Sequence, residues 1–203
     1  TALHSIIGCI EKVLAKGKIA VGIFLDIGGA FDNASFCSFK RALDRFKVNG
    51  TISRWIMGLV SNRSVCAELR SASHRVSVTR GCPQGGVLSS ILWSMVINEL
   101  LDIIGCSESV FCLAYSDDVA IVVIGDDPQH LARLITQVLD KIDAWCRRND
   151  LTAHPDKTNM IVFTRRRNRP NLPPVYLGGS RIAEVDEVRY LGVILDYKLS
   201  WYP

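Results

Sequence analysis

The chain has 203 residues, of which 48% are hydrophobic and 22% charged, enough apolar material for one domain with a real core and too much for a disordered chain. A net charge of +4 is mildly basic, which fits a nucleic-acid partner without demanding one. The longest uncharged run, residues 81–98, contains Pro83, Gln84, two glycines in sequence and three serines, so it does not read as a membrane span.

The first residues carry no signal-peptide pattern, and both ends, Thr1 and Pro203, read as cut from something longer. Seven cysteines are widely spaced with no Cys-x-x-Cys, and none pairs with a histidine at zinc-ligand spacing. Buried, reduced thiols in an intracellular protein are the expectation.

Leu3, Ile6, Ile7, Ile10, Val13 and Leu14 recur at helical spacing, and Gly17 ends that helix. Residues 19–25 form a near-continuous apolar run, the pattern of a strand covered on both faces. Phe36, Phe39, Leu43 and Phe46 mark a second helix, stopped by Asn49-Gly50, and Ile52, Trp55, Ile56 and Leu59 a third, shorter one. Residues 65–69 and 75–79 read as a hairpin. After a turn over 81–86, Leu88, Ile91, Leu92, Met95, Val96 and Leu100 predict a deeply buried helix.

Residues 110–115 and 119–124 are apolar strands flanking Ser116-Asp117-Asp118, a tight hairpin. Pro128 opens a long helix carrying Leu131, Leu134, Ile135, Val138, Leu139, Ile142 and Trp145. Strands over 159–164, 174–177 and 188–195 follow, around a basic run at 165–169. Strands and helices mix without regular alternation, which favours an α+β fold over a doubly wound sheet.

Adjacent carboxylates at the tip of an apolar hairpin repel one another. In isolation Asp117-Asp118 would read as a solvated turn. Here the flanking strands belong to a buried sheet, and the strand over 19–25 also ends on a carboxylate, Asp26. Three carboxylates at the edges of a buried sheet need counter-charge, and hard divalent cations supply it. Two such ions roughly 3.5–4 Å apart would clamp an in-line displacement at phosphorus.

Five strings in order then resemble the palm motifs of reverse transcriptases. Phe24-Leu25-Asp26 with Ala30-Phe31-Asp32 resembles the first, and Arg80-Gly81-Cys82-Pro83-Gln84-Gly85-Gly86-Val87-Leu88-Ser89 the second. Ala114-Tyr115-Ser116-Asp117-Asp118 resembles the catalytic hairpin, and Leu151-Thr152 with Pro155-Asp156-Lys157-Thr158 the fourth motif. Tyr190-Leu191-Gly192-Val193-Ile194-Leu195-Asp196 resembles the segment that grips the primer end. The flavour is that of non-LTR (LINE-type) retrotransposons, notably arthropod elements that insert at fixed sites.

The resemblance implies an α+β polymerase palm, an antiparallel sheet with packed helices. Residues 1–203 would be a partial reverse transcriptase domain with a fingers insertion around 36–80, the N-terminal fingers and C-terminal thumb lying elsewhere in a parent polyprotein that also carries an endonuclease. The activity implied is RNA-directed DNA synthesis, with an RNA template, a DNA primer, dNTPs and two Mg2+ ions, Mn2+ being a substitute. The expected setting is the nucleus and cytoplasm, as a ribonucleoprotein.

Residue by residue, Asp26 and Asp117 would be the principal metal ligands and Asp118 a more peripheral one. Phe31 would lie under the sugar of the incoming nucleotide and exclude a 2′-hydroxyl. Gln84, Gly85 and Tyr115 would line the nucleotide and templating base. Lys157 would approach the triphosphate as a proton donor to pyrophosphate. Arg165, Arg166, Arg167 and Arg169 would lie on template phosphate, with a solvated loop as the equal alternative.

Five positions depart from the family pattern: Gly28 stands where charge is common, Ser116 replaces alanine, Ser90 replaces proline with serine as a helix cap, and Ala153-His154 replaces an aliphatic-asparagine pair. The competing reading is an inactive, nucleic-acid-binding remnant of such an element. A nucleotide cyclase, another palm enzyme, would place glycines beside the acidic turn, where this chain has Tyr-Ser-Asp-Asp.

Overall fold

The computed structural model describes residues 1–70 and 72–200. Thr1 caps helix α1 (Ala2–Ala15), and Lys16-Gly17 turn the chain into strand β1 (Ile19–Gly28). A single turn, α2 (Ala30–Asn33), precedes α3 (Phe36–Arg45) and α4 (Gly50–Ser61), capped by Ser35 and Asn49 respectively. The hairpin β2 (Ser64–Leu69) and β3 (Ala72–Ser77) leads to α5 (Val87–Ile104).

Strands β4 (Val110–Tyr115) and β5 (Asp118–Gly125) come next, then α6 (Pro128–Arg148), with Asp127 accepting from the His130 amide as its cap. The remainder is short: β6 (Thr152–Ala153), a 3-10 turn over Pro155–Lys157, β7 (Asn159–Phe163), β8 (Tyr176–Leu177), β9 (Ser180–Arg181), β10 (Ala183–Glu184), β11 (Glu187–Tyr190) and β12 (Val193–Asp196).

The central sheet runs β10-β7-β1-β5-β4, with β6 also paired to β1. All of its pairings are antiparallel except β10 with β7. The predicted two-sided cover of β1 is present. Ile19, Val21, Ile23 and Leu25 join one core with residues of α3, α5 and α6, while Ala20 and Phe24 join the other with α1 and the β11–β12 hairpin. Period-2 alternation therefore distributes an all-apolar strand between two helical or hairpin layers.

Several sequence expectations need correction. Residues 188–195 are not one strand: Leu191 and Gly192 both have positive φ, 47° and 84°, and fold the segment into the β11–β12 hairpin. Ser90 does not cap α5, which begins at Val87 with Gly86 at the cap position. The helix is buried along Leu92, Trp93, Val96, Ile97, Leu100 and Ile104, whereas Ile91 is exposed. It is long and apolar enough to cross a membrane by length and composition, and here that stripe packs into the core beside β1. Of the seven cysteines, all free, only Cys82, Cys112 and Cys146 are buried, and Cys37, Cys66 and Cys106 are exposed.

Candidate active site

Register brings the carboxylates together. Asp26, near the end of β1, lies opposite Asp118 at the start of β5, and Tyr115 at the end of β4 lies opposite Asp118 on the other side. Ser116 and Asp117 form the connecting turn, with φ of 57° at Ser116. The Ile27 amide donates to the Asp117 carbonyl at 3.3 Å, tying this turn to β1. Asp26, Asp117 and Asp118 therefore share one sheet edge although they are far apart in sequence.

Electrostatics agree with the geometry. The Asp118 carboxyl is pushed above the usual carboxylate range, first by burial, then by Asp117, then by Asp26. The strands themselves offer no cation, but the 3-10 turn does: Lys157 Nζ stands 3.1 Å from Asp26 Oδ2. Sequence reasoning gave Lys157 to the triphosphate and missed this pairing.

Among the described residues, no group of three or more His, Cys, Asp or Glu side chains is arranged to hold a metal ion. The chemistry of the donor set nonetheless fits a hard divalent cation, since it consists of carboxylate oxygens in mutual repulsion at a partly open edge.

The turn is held from below. Trp93, 1% exposed on α5, donates its indole Nε1–H to the Ser116 carbonyl at 2.8 Å. Its ring also meets Phe31, with centroids 6.1 Å apart and planes tilted by 43°. One tryptophan thus supports both the acidic turn and the candidate sugar-contacting ring. No sequence motif singled it out, since in α5 it reads as one more core residue.

Of Gly28 and Gly29, only Gly29 takes a positive φ, 59°, and it turns the chain into α2. Gly28 has another reason. The His154 imidazole occupies the space where a Gly28 side chain would begin, and Ala153 pairs with Ile27 in the β1–β6 ladder. Gly28 and His154 are thus direct neighbours, with the ring packed on the glycine backbone.

The loop over 81–86 is clamped onto the Phe31–Ala34 segment. The Gly81 amide donates to the Ala34 carbonyl at 2.8 Å and the Cys82 amide to the Phe31 carbonyl at 2.7 Å. Gln84 Nε2 donates to Asp32 Oδ2 at 2.7 Å, and both line an open cavity of about 440 Å3 with Arg63 and Arg80. Gly85 has φ of +79° and nothing within 4 Å of a Cβ position, so its surface is free toward solvent. Tyr115 is likewise exposed, at 58%.

The basic run divides. Arg166 is braced by Asp126 at 3.1 Å and the Gly17 carbonyl at 3.2 Å, and Arg169 pairs with Glu184 and Asp186 and lies over the Tyr197 ring. Arg165 and Arg167, with no ion pair among the described residues, border a cavity of about 410 Å3 with Lys198.

Residues 2–195 match the family described as reverse transcriptase (RNA-dependent DNA polymerase). The chain is 30% identical, over 96% of its length, to the retrovirus-related Pol polyprotein from type-1 retrotransposable element R1 of Bradysia coprophila, covering 19% of that protein. It is 26% identical, over 98% of its length, to the probable RNA-directed DNA polymerase from transposon X-element of Drosophila melanogaster, covering 22% of it. The chain thus spans about a fifth of the length of these relatives, at 19% and 22%.

Among solved structures, an apo telomerase from Candida tropicalis superposes with a TM-score of 0.68 at 12% identity, over 97% of this chain and 35% of that one. That likeness identifies the fold as the palm-type polymerase fold. Family match, relatives and fold agree: the chain belongs to the reverse transcriptase family, with non-LTR retrotransposon Pol proteins among its relatives.

Proposed function

We propose that this domain is the catalytic core of an RNA-directed DNA polymerase that extends a DNA primer on an RNA template. The observation that carries the reading is the β1–β5 register, which sets Asp26 against Asp118 and beside Asp117. Asp26 and Asp117 would hold two divalent cations, Mg2+ or Mn2+, with Asp118 as a peripheral ligand. When bound, such ions supply Lewis acidity toward the attacking hydroxyl and charge neutralisation toward the leaving pyrophosphate.

The remaining steps belong to the chain's own residues. The primer 3′-hydroxyl gives up its proton to solvent, its oxygen bonds to the α-phosphorus of the dNTP, and the bond from that phosphorus to the α–β bridging oxygen breaks, releasing pyrophosphate. Lys157, whose ammonium stands 3.1 Å from Asp26 at the acidic edge, gives the leaving pyrophosphate a proton. Phe31 lies under the sugar, braced by Trp93, and excludes a 2′-hydroxyl by volume. The free face of Gly85 and the exposed Tyr115 ring meet the nucleotide and base, and Gln84 orients there through Asp32.

Residues 36–80 form the fingers insertion, and the central sheet with α5 and α6 the palm. Arg165 and Arg167 serve template phosphate, while Arg166 and Arg169 brace their loop.

The test uses the chain itself. Mn2+ should broaden NMR signals of residues around 26 and 116–118 at sub-stoichiometric levels, and Asp26→Asn or Asp117→Asn should abolish that focus while leaving the far-UV CD spectrum unchanged. In a polypeptide with family fingers and thumb fused to it, the same variants should lose template-dependent dNTP incorporation. Uniform, weak broadening across the surface would instead support the inactive-remnant reading.

A further inference from the structure

Tyr190 lies at the end of β11 and is 3% exposed, yet its hydroxyl has no hydrogen-bond partner within the protein. A buried, unpaired hydroxyl is costly, and each such case in a native fold calls for a partner. The ring itself is fixed, stacked on Phe24 with centroids 4.9 Å apart and planes tilted by 50°. Phe24 stands two residues before Asp26 on β1, so the phenol sits just behind the acidic edge.

A cleft of about 70 Å3 opens at that point, lined by Asp26, Asp118, Lys157, Asn159, Arg189 and Tyr190, with apolar neighbours. This exceeds the roughly 10–15 Å3 needed to hold one water, and the lining is polar enough to keep it. Any tyrosine hydroxyl is protonated at neutral pH and can donate; burial, and after it the Asp118 charge, push this one up further, to about 12. Asp26 already has Lys157 on its Oδ2, whereas no hydrogen-bond donor reaches the Asp118 side chain among the described residues.

We infer that Tyr190 is a positioning residue for the acidic edge: its hydroxyl donates, through a water held in this cleft, to the Asp118 carboxylate. The role given to Asp118 rests on the polymerase reading; the contact itself does not. Donation to the charged form offsets part of the repulsion from Asp117 and Asp26 and restricts the carboxylate's rotation. It also couples the β11–β12 hairpin, whose turn at Leu191-Gly192 directly follows Tyr190, to the site of chemistry.

The experiment is a double-mutant cycle on the metal-free chain at neutral pH, with Mn2+ affinity as a second readout. Tyr190→Phe keeps the ring and removes only the oxygen. It should lower Tm by about 2–4 °C in the Asp118 background and leave Tm unchanged in the Asp118→Ala background. It should also raise the apparent Kd for Mn2+ about tenfold, as loss of a partner behind a metal ligand does. An equal Tm change in both backgrounds, or an unchanged Kd in a chain that binds Mn2+, overturns the inference. Absence of Mn2+ uptake by the unmodified chain, with the Tm coupling intact, strikes the polymerase reading and leaves the Tyr190–Asp118 contact standing.

Discussion

Gly81 and Gly85 have nearly the same backbone angle, φ of +77° and +79°, yet the structure gives them different costs of substitution. A Cβ on Gly81 would sit 2.5 Å from the Asp32 carbonyl oxygen and 2.7 Å from that of Phe31. Both are backbone atoms that cannot rotate away. The two loops would have to separate, at the expense of the 2.8 Å Gly81–Ala34 and 2.7 Å Cys82–Phe31 hydrogen bonds.

Left-handed backbone at alanine costs about 1–2 kcal/mol, and each lost hydrogen bond about 1 kcal/mol. Gly81→Ala should therefore destabilise by roughly 3–4 kcal/mol, in the range reserved for strained or network-breaking substitutions. Gly85→Ala, with nothing within 4 Å of its Cβ, should cost only the backbone part, about 1–2 kcal/mol. Urea unfolding followed by CD would measure both at a common m-value. Equal losses for the two variants would refute the claim that Gly81 is demanded by loop contact.

Trp93→Phe keeps most of the packing but leaves the Ser116 carbonyl without its donor; a loss of roughly 1–3 kcal/mol is expected, with NMR exchange broadening concentrated at 115–118. Asp118→Asn removes one of three repelling charges, so Tm of the metal-free chain should rise at neutral pH, and a fall would show that the carboxylates are not in conflict there. Cys112 and Cys146, each pushed up to about 12 chiefly by burial, should resist maleimide at pH 8 on the native chain, while exposed Cys37, Cys66 and Cys106 react; mass spectrometry of the labelled sites decides this.

The fold was most legible where periodicity and capping agreed. α1, α3 and α6 are found where their apolar stripes predict them, but the stop expected at Asn49-Gly50 is misplaced: α3 already ends at Phe46, and Asn49 caps and Gly50 opens α4. The unbroken apolar run of β1 signalled burial on both faces, and both faces are covered. Legibility failed where a turn is only half signalled, as at Leu191-Gly192, whose glycine was the one cue. Leu191 at φ of 47° splits an apolar run that reads as one strand, and nothing in a leucine announces a left-handed turn. Strands of two residues, such as β6 and β8, carry no periodicity at all.

The site divides along the same physical line. Asp26, Asp117 and Asp118 were readable because charge at the end of an apolar strand violates the pattern around it, and a violation is visible in one dimension. Lys157, Trp93 and Tyr190 violate nothing locally: a lysine in a polar turn, a tryptophan in a core stripe and a tyrosine in a strand are all ordinary there, and only family resemblance drew notice to Lys157 and to the string that holds Tyr190. Their roles exist only through partners 131 residues away for Lys157 and 23 for Trp93, and through a buried hydroxyl whose isolation only the fold exposes. Gly28 and His154 make the point from the other side. Each reads as an isolated departure in the sequence, and only the fold shows the His154 ring packed where a Gly28 side chain would begin.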